Sequence, residues 1–147
     1  MKTVAISGGF DPLHIGHVRL INSAKELGDK LIVIINNDNW LKRKKGYIFM
    51  SEYDRAEIIS NLKAVDEVIL TSHARNADDM SVCDEIKKIK PDIFANGGDR
   101  KKDNTPEYAL CKEMSIEMVF SVGGDKIRSS SELVEKTQKN DENNSLN

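Results

Sequence analysis

The stretch Lys30-Leu31-Ile32-Val33-Ile34-Ile35 sets five aliphatic residues in a row. A strand wetted on one face alternates apolar and polar residues; an unbroken apolar run requires cover on both faces, the habit of parallel sheets with helices on either side. The rest of the chain alternates to match. Thr3 to Ser7 reads as a strand, and Val18, Ile21, Ala24 and Leu27 recur at helical spacing from about His17, with Gly28 as the C-cap. Val65–Leu70 is a third strand with its lead-in. A helix over Ser81–Lys90 follows, with Val82, Ile86 and Ile89 on one face and Pro91 as its stop. Asp92–Ala95 is a fourth strand, Pro106–Met114 a helix, Ile116–Val122 a fifth strand, and Gly123-Gly124-Asp125 a turn. Repeated strand-helix units predict a three-layer α/β/α sandwich around a five-stranded parallel sheet.

A chain of 147 residues with 39% hydrophobic composition can bury one core, so residues 1–136 are expected to form one domain. From Thr137 onward polar and charged residues dominate, and residues 137–147 read as a disordered tail. The formal net charge of −2 argues against a general nucleic-acid binder, which would show a basic excess. Two cysteines without C-x-x-C spacing and no apolar run of membrane-spanning length lead us to expect a reduced, soluble, cytoplasmic protein with no membrane partner.

Between the first strand and its helix lies Ser7-Gly8-Gly9-Phe10-Asp11-Pro12-Leu13-His14-Ile15-Gly16-His17. Gly8, Gly9 and Gly16 have no side chain to keep a ligand from the main chain, and a helix N-terminus favours an anion, most often a phosphate. His14 and His17 stand at that end. Two histidines at i, i+3 could instead bind a metal, but no H-E-x-x-H pattern or Cys/His set completes a zinc site. Either could also be a simple helix cap. The loop fits neither the P-loop nor the dinucleotide fingerprint.

With Gly8-x-Phe10-Asp11 before it, this H-x-G-H resembles the signature of the cytidylyltransferase-like nucleotidyltransferases, among them glycerol-3-phosphate cytidylyltransferases and heptose-phosphate adenylyltransferases. The resemblance implies a Rossmann-like sheet of order 3-2-1-4-5, His14 and His17 as catalytic residues, and Gly8, Gly9, Phe10, Asp11 and Gly16 around a nucleotide. It also implies a homodimer.

The basic segment Trp40–Tyr47 reads as a loop at the mouth of the second strand. In the resembling family a lysine of this loop reaches the triphosphate or the acceptor; Lys44 sits best by spacing, as a catalytic and acceptor-binding residue, then Lys45, and Asp38 is a further acceptor-binding candidate. Ser51-Glu52-Tyr53-Asp54 has the form of a capping box at the start of a helix running to about Lys63. This leaves Arg55 either on the surface or clamping a phosphate as a catalytic and acceptor-binding group. Thr71–Asp79 reads as a loop with His73 solvated. Asn96-Gly97-Gly98-Asp99-Arg100 resembles the family's K-G-G-D stretch, making Gly98 and Asp99 nucleotide-binding candidates. Lys126-Ile127-Arg128-Ser129-Ser130-Ser131 stands where the family has its second signature, with Arg128, Ser129, Ser130 and Ser131 as phosphate ligands and Lys126 as the rival to Arg128.

The resemblance thus implies transfer of a nucleoside monophosphate from CTP or ATP to a small phosphorylated polyol or sugar, with Mg²⁺ riding on the nucleotide phosphates and no metal ligand assigned among the side chains. Two other readings stay open: a nucleotide-binding regulatory module without turnover, and an RNA patch at Lys42–Lys45.

Overall fold

The computed structural model describes residues 1–97 and 105–124. Five strands, β1 (Thr3–Gly8), β2 (Lys30–Ile35), β3 (Glu67–Leu70), β4 (Ile93–Gly97) and β5 (Glu117–Val122), form one parallel sheet in the order β3-β2-β1-β4-β5. The helices are α1 (Ile15–Lys25), α2 (Asp38–Lys45), α3 (Glu52–Ser60), α4 (Cys83–Ile89) and α5 (Pro106–Glu113).

The unbroken apolar runs have the expected cause. Side chains alternate across a strand, so Val4 and Ile6 of β1 and Leu31, Val33 and Ile35 of β2 join Ile21, Ala24 and Ile59 on one face of the sheet. Ala5, Ile34 and Phe94 join Val82, Ile86, Cys111 and Ile116 on the other. Both layers are dry, and each fully buried aliphatic side chain contributes roughly 1.5–3 kcal/mol. Cys83 and Cys111 are free thiols, and burial pushes the Cys111 thiol up to about 11. Among the described residues no helix is long and apolar enough to cross a membrane.

Several elements depart from the sequence reading. The basic segment is not a loop. Asn37 caps α2 by accepting from the Trp40 amide at 3.0 Å, Gly46 closes it in the left-handed region at φ 83°, and Lys42–Lys45 occupy its last turn, where cations suit the helix dipole. Only Leu41 of its residues is buried, so no apolar period announces it. The first helix begins at Ile15, earlier than expected, because His14 is its N-cap. Glu26 is its C-cap, not Gly28, whose close approach to the chain start leaves a Cβ only 2.7 Å from the Lys2 carbonyl oxygen. The α3 helix stops at Ser60, short of Lys63, and His73 is buried instead of solvated.

The chain winds outward from β1 to β3, then returns to lay β4 on the other side of β1. Ligands of open parallel sheets bind at such a reversal, beyond the C-terminal ends of the strands. The glycine loop leaves β1 at that point.

Candidate active site

His14 and His17 are set by the helix start they belong to. The Gly16 amide donates to His14 Nδ1 at 3.1 Å, and the His14 amide donates to His17 Nδ1 at 3.2 Å. In both rings Nδ1 is therefore an acceptor, which leaves the proton on Nε2, pointing away from the backbone that holds it. The rings stack with centroids 3.9 Å apart, and Phe10 meets His17 edge-on at 5.0 Å. Burial, then the charges of His14 and Lys45, lower the His17 pKa to about 3. His17 is thus a neutral N–H donor at physiological pH. Gly16 is required by this arrangement, since a Cβ there would lie 2.9 Å from His14 Cε1.

The loop is braced from beneath. Phe10 is buried at φ 52°, a conformation that costs a non-glycine residue energy and persists only where the surroundings hold it. Asp11, fully buried, accepts from the amides of Phe49 at 2.7 Å and Met50 at 2.6 Å. Arg55 is inside the molecule, 1% exposed. Its Nε donates to the Met50 carbonyl at 3.0 Å, one terminal nitrogen to the carbonyls of Gly9 at 2.8 Å and Asn36 at 2.6 Å, and the other to Asp38 Oδ1 at 2.7 Å. The surface alternative for Arg55 is therefore wrong. The guanidinium ties together the glycine loop, the end of β2, the start of α2 and the loop before α3. Asp38 Oδ1 takes part in this brace, and the Asp38 amide donates to Glu52.

Lys44 is exposed and lines a cavity of about 570 Å³ at the C-terminal edge of the sheet, while Lys45 is half-buried and close enough to bear on His17. Ser7, Asn36 and Asn96 reach the cavity from β1, the end of β2 and β4. Met118 and Phe120 of β5 continue that face of the sheet, and Asp78–Val82 and Thr105–Glu107 also line the cavity. The 78–82 segment is pinned by Trp40 Nε1 donating to the Met80 carbonyl at 2.9 Å and by His73, which sits between Thr71 Oγ1 and the Ser81 carbonyl. Asn36 and Asn96 were missed as site residues, although each is a polar residue ending an apolar run at the ligand-binding edge of the sheet. His73, Trp40 and Glu107 carry no local signal. Gly98, Asp99, Lys126, Arg128, Ser129, Ser130 and Ser131 lie outside the described residues. Among the described residues no group of three or more His, Cys, Asp or Glu side chains is arranged to hold a metal ion.

A parallel sheet of this order, reversing at β1 and carrying paired Nε2–H donors at the first helix start, defines a Rossmann-like α/β fold. The chain matches the cytidylyltransferase-like family model over residues 5–141, and it belongs to that family of nucleotidyltransferases. It is 34% identical to the FAD synthase of Methanobrevibacter smithii, across 100% of this chain and 97% of that protein. It is 38% identical to the bifunctional protein HldE of Nitratiruptor sp. over 78% of this chain, which spans only 24% of that relative's length. Among solved structures, the lipopolysaccharide core biosynthesis protein of Thermoplasma volcanium is similar, at 33% identity and a TM-score of 0.65, covering 82% of this chain and 94% of that one.

Proposed function

We propose that the protein transfers a nucleoside monophosphate from ATP or CTP to a small phosphorylated acceptor and releases pyrophosphate. The observation that carries this reading is the pair of Nε2–H donors, His14 and His17, fixed by backbone amides at a helix N-terminus, with Lys45 close enough to bear on His17. An acceptor phosphate has a second pKa near 6 and is largely dianionic at pH 7. Its oxygen attacks the α-phosphorus directly, a new P–O–P bond forms, and the bond to the α,β-bridging oxygen breaks with its electron pair leaving on pyrophosphate. No proton has to be removed. A neutral His17 suits that chemistry, because it can donate a hydrogen bond to the charge that builds on the phosphate oxygens without acting as a base. Lys44 and Lys45 supply cations that let two anions meet.

In this reading Arg55, Asp11 and Asp38 position the loop and touch no substrate. Mg²⁺ would come with the nucleotide, held by phosphate oxygens, since both Asp11 oxygens are occupied by amides; its contribution is charge neutralisation. Gly98, Asp99 and the Arg128–Ser131 segment complete the nucleotide side. The relatives named FAD synthase add flavin mononucleotide to the phosphorylated polyols and sugars as acceptors to be tried, and a homodimer remains part of the proposal. The decisive experiment is pyrophosphate release with ATP and CTP, each against glycerol 3-phosphate, sugar 1-phosphates and flavin mononucleotide, with Mg²⁺. Release that requires an acceptor supports transfer; nucleotide binding without release from any pair would leave the regulatory-module reading. Phosphorus NMR of the product should show coupled pyrophosphate doublets.

A further inference from the structure

Between Leu70 of β3 and Cys83 of α4 the chain forms neither helix nor strand, so no ladder holds it in place. Residues 78–82 of that stretch nevertheless form a wall of the cavity. Two side-chain donors hold this wall on neighbouring carbonyls: Trp40 Nε1 on Met80 and His73 Nε2 on Ser81, each at 2.9 Å. The Val82 amide donates to Glu107 Oε1 at 3.2 Å, which ties the end of the wall to α5.

His73 is 9% exposed, and its two bonds fix where its proton lies. A carbonyl only accepts, so Nε2 carries the hydrogen toward Ser81. Nδ1, 2.8 Å from Thr71 Oγ1, is then left as an acceptor and takes the Thr71 hydroxyl hydrogen; that oxygen in turn accepts from the Asn37 amide at 3.0 Å. Amide, hydroxyl, imidazole and carbonyl form one directed chain from the start of α2 to the wall. Asn37 is the N-cap of that helix, and Asn37 Nδ2 and Asn39 Nδ2 each donate to the His73 carbonyl at 2.9 Å. Trp40 stands in the first turn of α2, and Lys44 and Lys45 stand in its last. The wall is therefore set against the same short helix that carries the lysines.

Resting on the transfer reading above, we infer that His73 is a positioning residue for the reaction: as the Nε2–H tautomer it forms, with Trp40, a two-donor clasp that fixes the 78–82 wall against α2. The clasp acts on binding. His14 and His17 are held by their own helix start, and Asp11 and Arg55 brace the loop before it, so loosening the wall leaves those donors in place and alters the fit of the substrate that occupies the cavity.

The test uses the full chain and three variants, each checked by a thermal melt. His73→Gln keeps an N–H that reaches as far as Nε2 and can bind the Ser81 carbonyl. His73→Asn keeps a polar atom only at the Nδ1 position, beside Thr71. Trp40→Phe removes the other donor and serves if His73→Asn does not fold. Trp40 is the one tryptophan of the chain, so exchange of its indole N–H, followed by NMR without substrate, reports the clasp directly. We expect that exchange to be about 10-fold faster in His73→Asn and within about threefold of wild type in His73→Gln. In pyrophosphate release with ATP or CTP and the acceptors named above, His73→Asn should raise the KM of one substrate about 5-fold or more, with kcat within about threefold. His73→Gln should restore that KM, and Trp40→Phe should raise the same one. A His73 ring found protonated on Nδ1 alone, an unchanged indole exchange, unchanged KM values, or Gln and Asn variants impaired alike in step with their melting temperatures would each overturn the inference and leave nucleotidyl transfer standing. No release by the wild type with any acceptor would bring down the transfer reading and the kinetic role of His73 with it, while the indole exchange would still show whether the clasp holds the wall.

Discussion

The two sides of the sheet's mouth are built on opposite terms. On the glycine-loop side the polar groups are already spent: both Asp11 oxygens on amides, the Arg55 guanidinium on three carbonyls and Asp38, and the Nδ1 atoms of His14 and His17 on their own helix start. Across the same mouth, Asn36 and Asn96 help to line the cavity, and Asn36 Oδ1 and Asn96 Nδ2 are buried with no hydrogen-bond partner among the described residues. Groups that must meet charge as it develops gain from being fixed beforehand. The buried amide atoms across the mouth instead cost about 1–3 kcal/mol each in stability.

The sharpest way to break this contrast is to take out the brace. Arg55→Met removes the donors from the Gly9, Asn36 and Met50 carbonyls and strands Asp38, and should cost roughly 3–5 kcal/mol in urea unfolding. A loss under about 1 kcal/mol would mean that the brace does not hold the loop. His17→Ala should come next, with kcat down by about 10² or more while the melting temperature stays close to wild type. Near-normal turnover would remove His17 from the reaction. Gly16→Ala places a methyl group against the His14 ring, and a misplaced donor should lower kcat about 10-fold with little change in nucleotide KM. Replacing Lys44 and Lys45 together by alanine should raise the acceptor KM several-fold and move nucleotide affinity less; the reverse pattern would assign these lysines to the triphosphate.

The smallest effect concerns pH. His17 is held near 3 in the fold against 6.5 in an unfolded chain, so between those values the unfolded chain binds the extra proton. Stability from this group is complete above pH 6.5 and is lost as the pH falls, by at most about 1.4 kcal/mol per unit. Unfolding free energies of the wild type and His17→Asn, compared at pH 5.5 and 4.5, should differ in slope by about that amount, and parallel curves would contradict the neutral, buried ring. The pH profile of turnover should likewise lack a limb near 6.5 from His17.

Much of this was legible beforehand because burial writes itself into composition. The five strands were readable from aliphatic runs that need cover on both faces, and the histidine pair from glycines, a proline and the onset of a helical period. The α2 helix was not, since one buried leucine among lysines gives no period and its formation depends on Asn37 and Gly46 as caps. Arg55 could be placed at a strand mouth but not turned inward; its four acceptors come from residues 9, 36, 38 and 50, which only the folded chain assembles. The same holds for His73, which a polar neighbourhood in sequence made look solvated.

By itself, then, the sequence determined the layered parallel architecture and the helix start that carries His14 and His17, because both rest on local spacing and on where apolar residues fall. Only the tertiary structure decided that Arg55 and Asp11 brace the loop, that His17 is held neutral, and that Asn36 and Asn96, on either side of β1, line one cavity. Those are properties of distances between residues far apart in the chain, and they arise when a crossover lays β4 beside β1 and brings the ends of β2, β1 and β4 to a common edge.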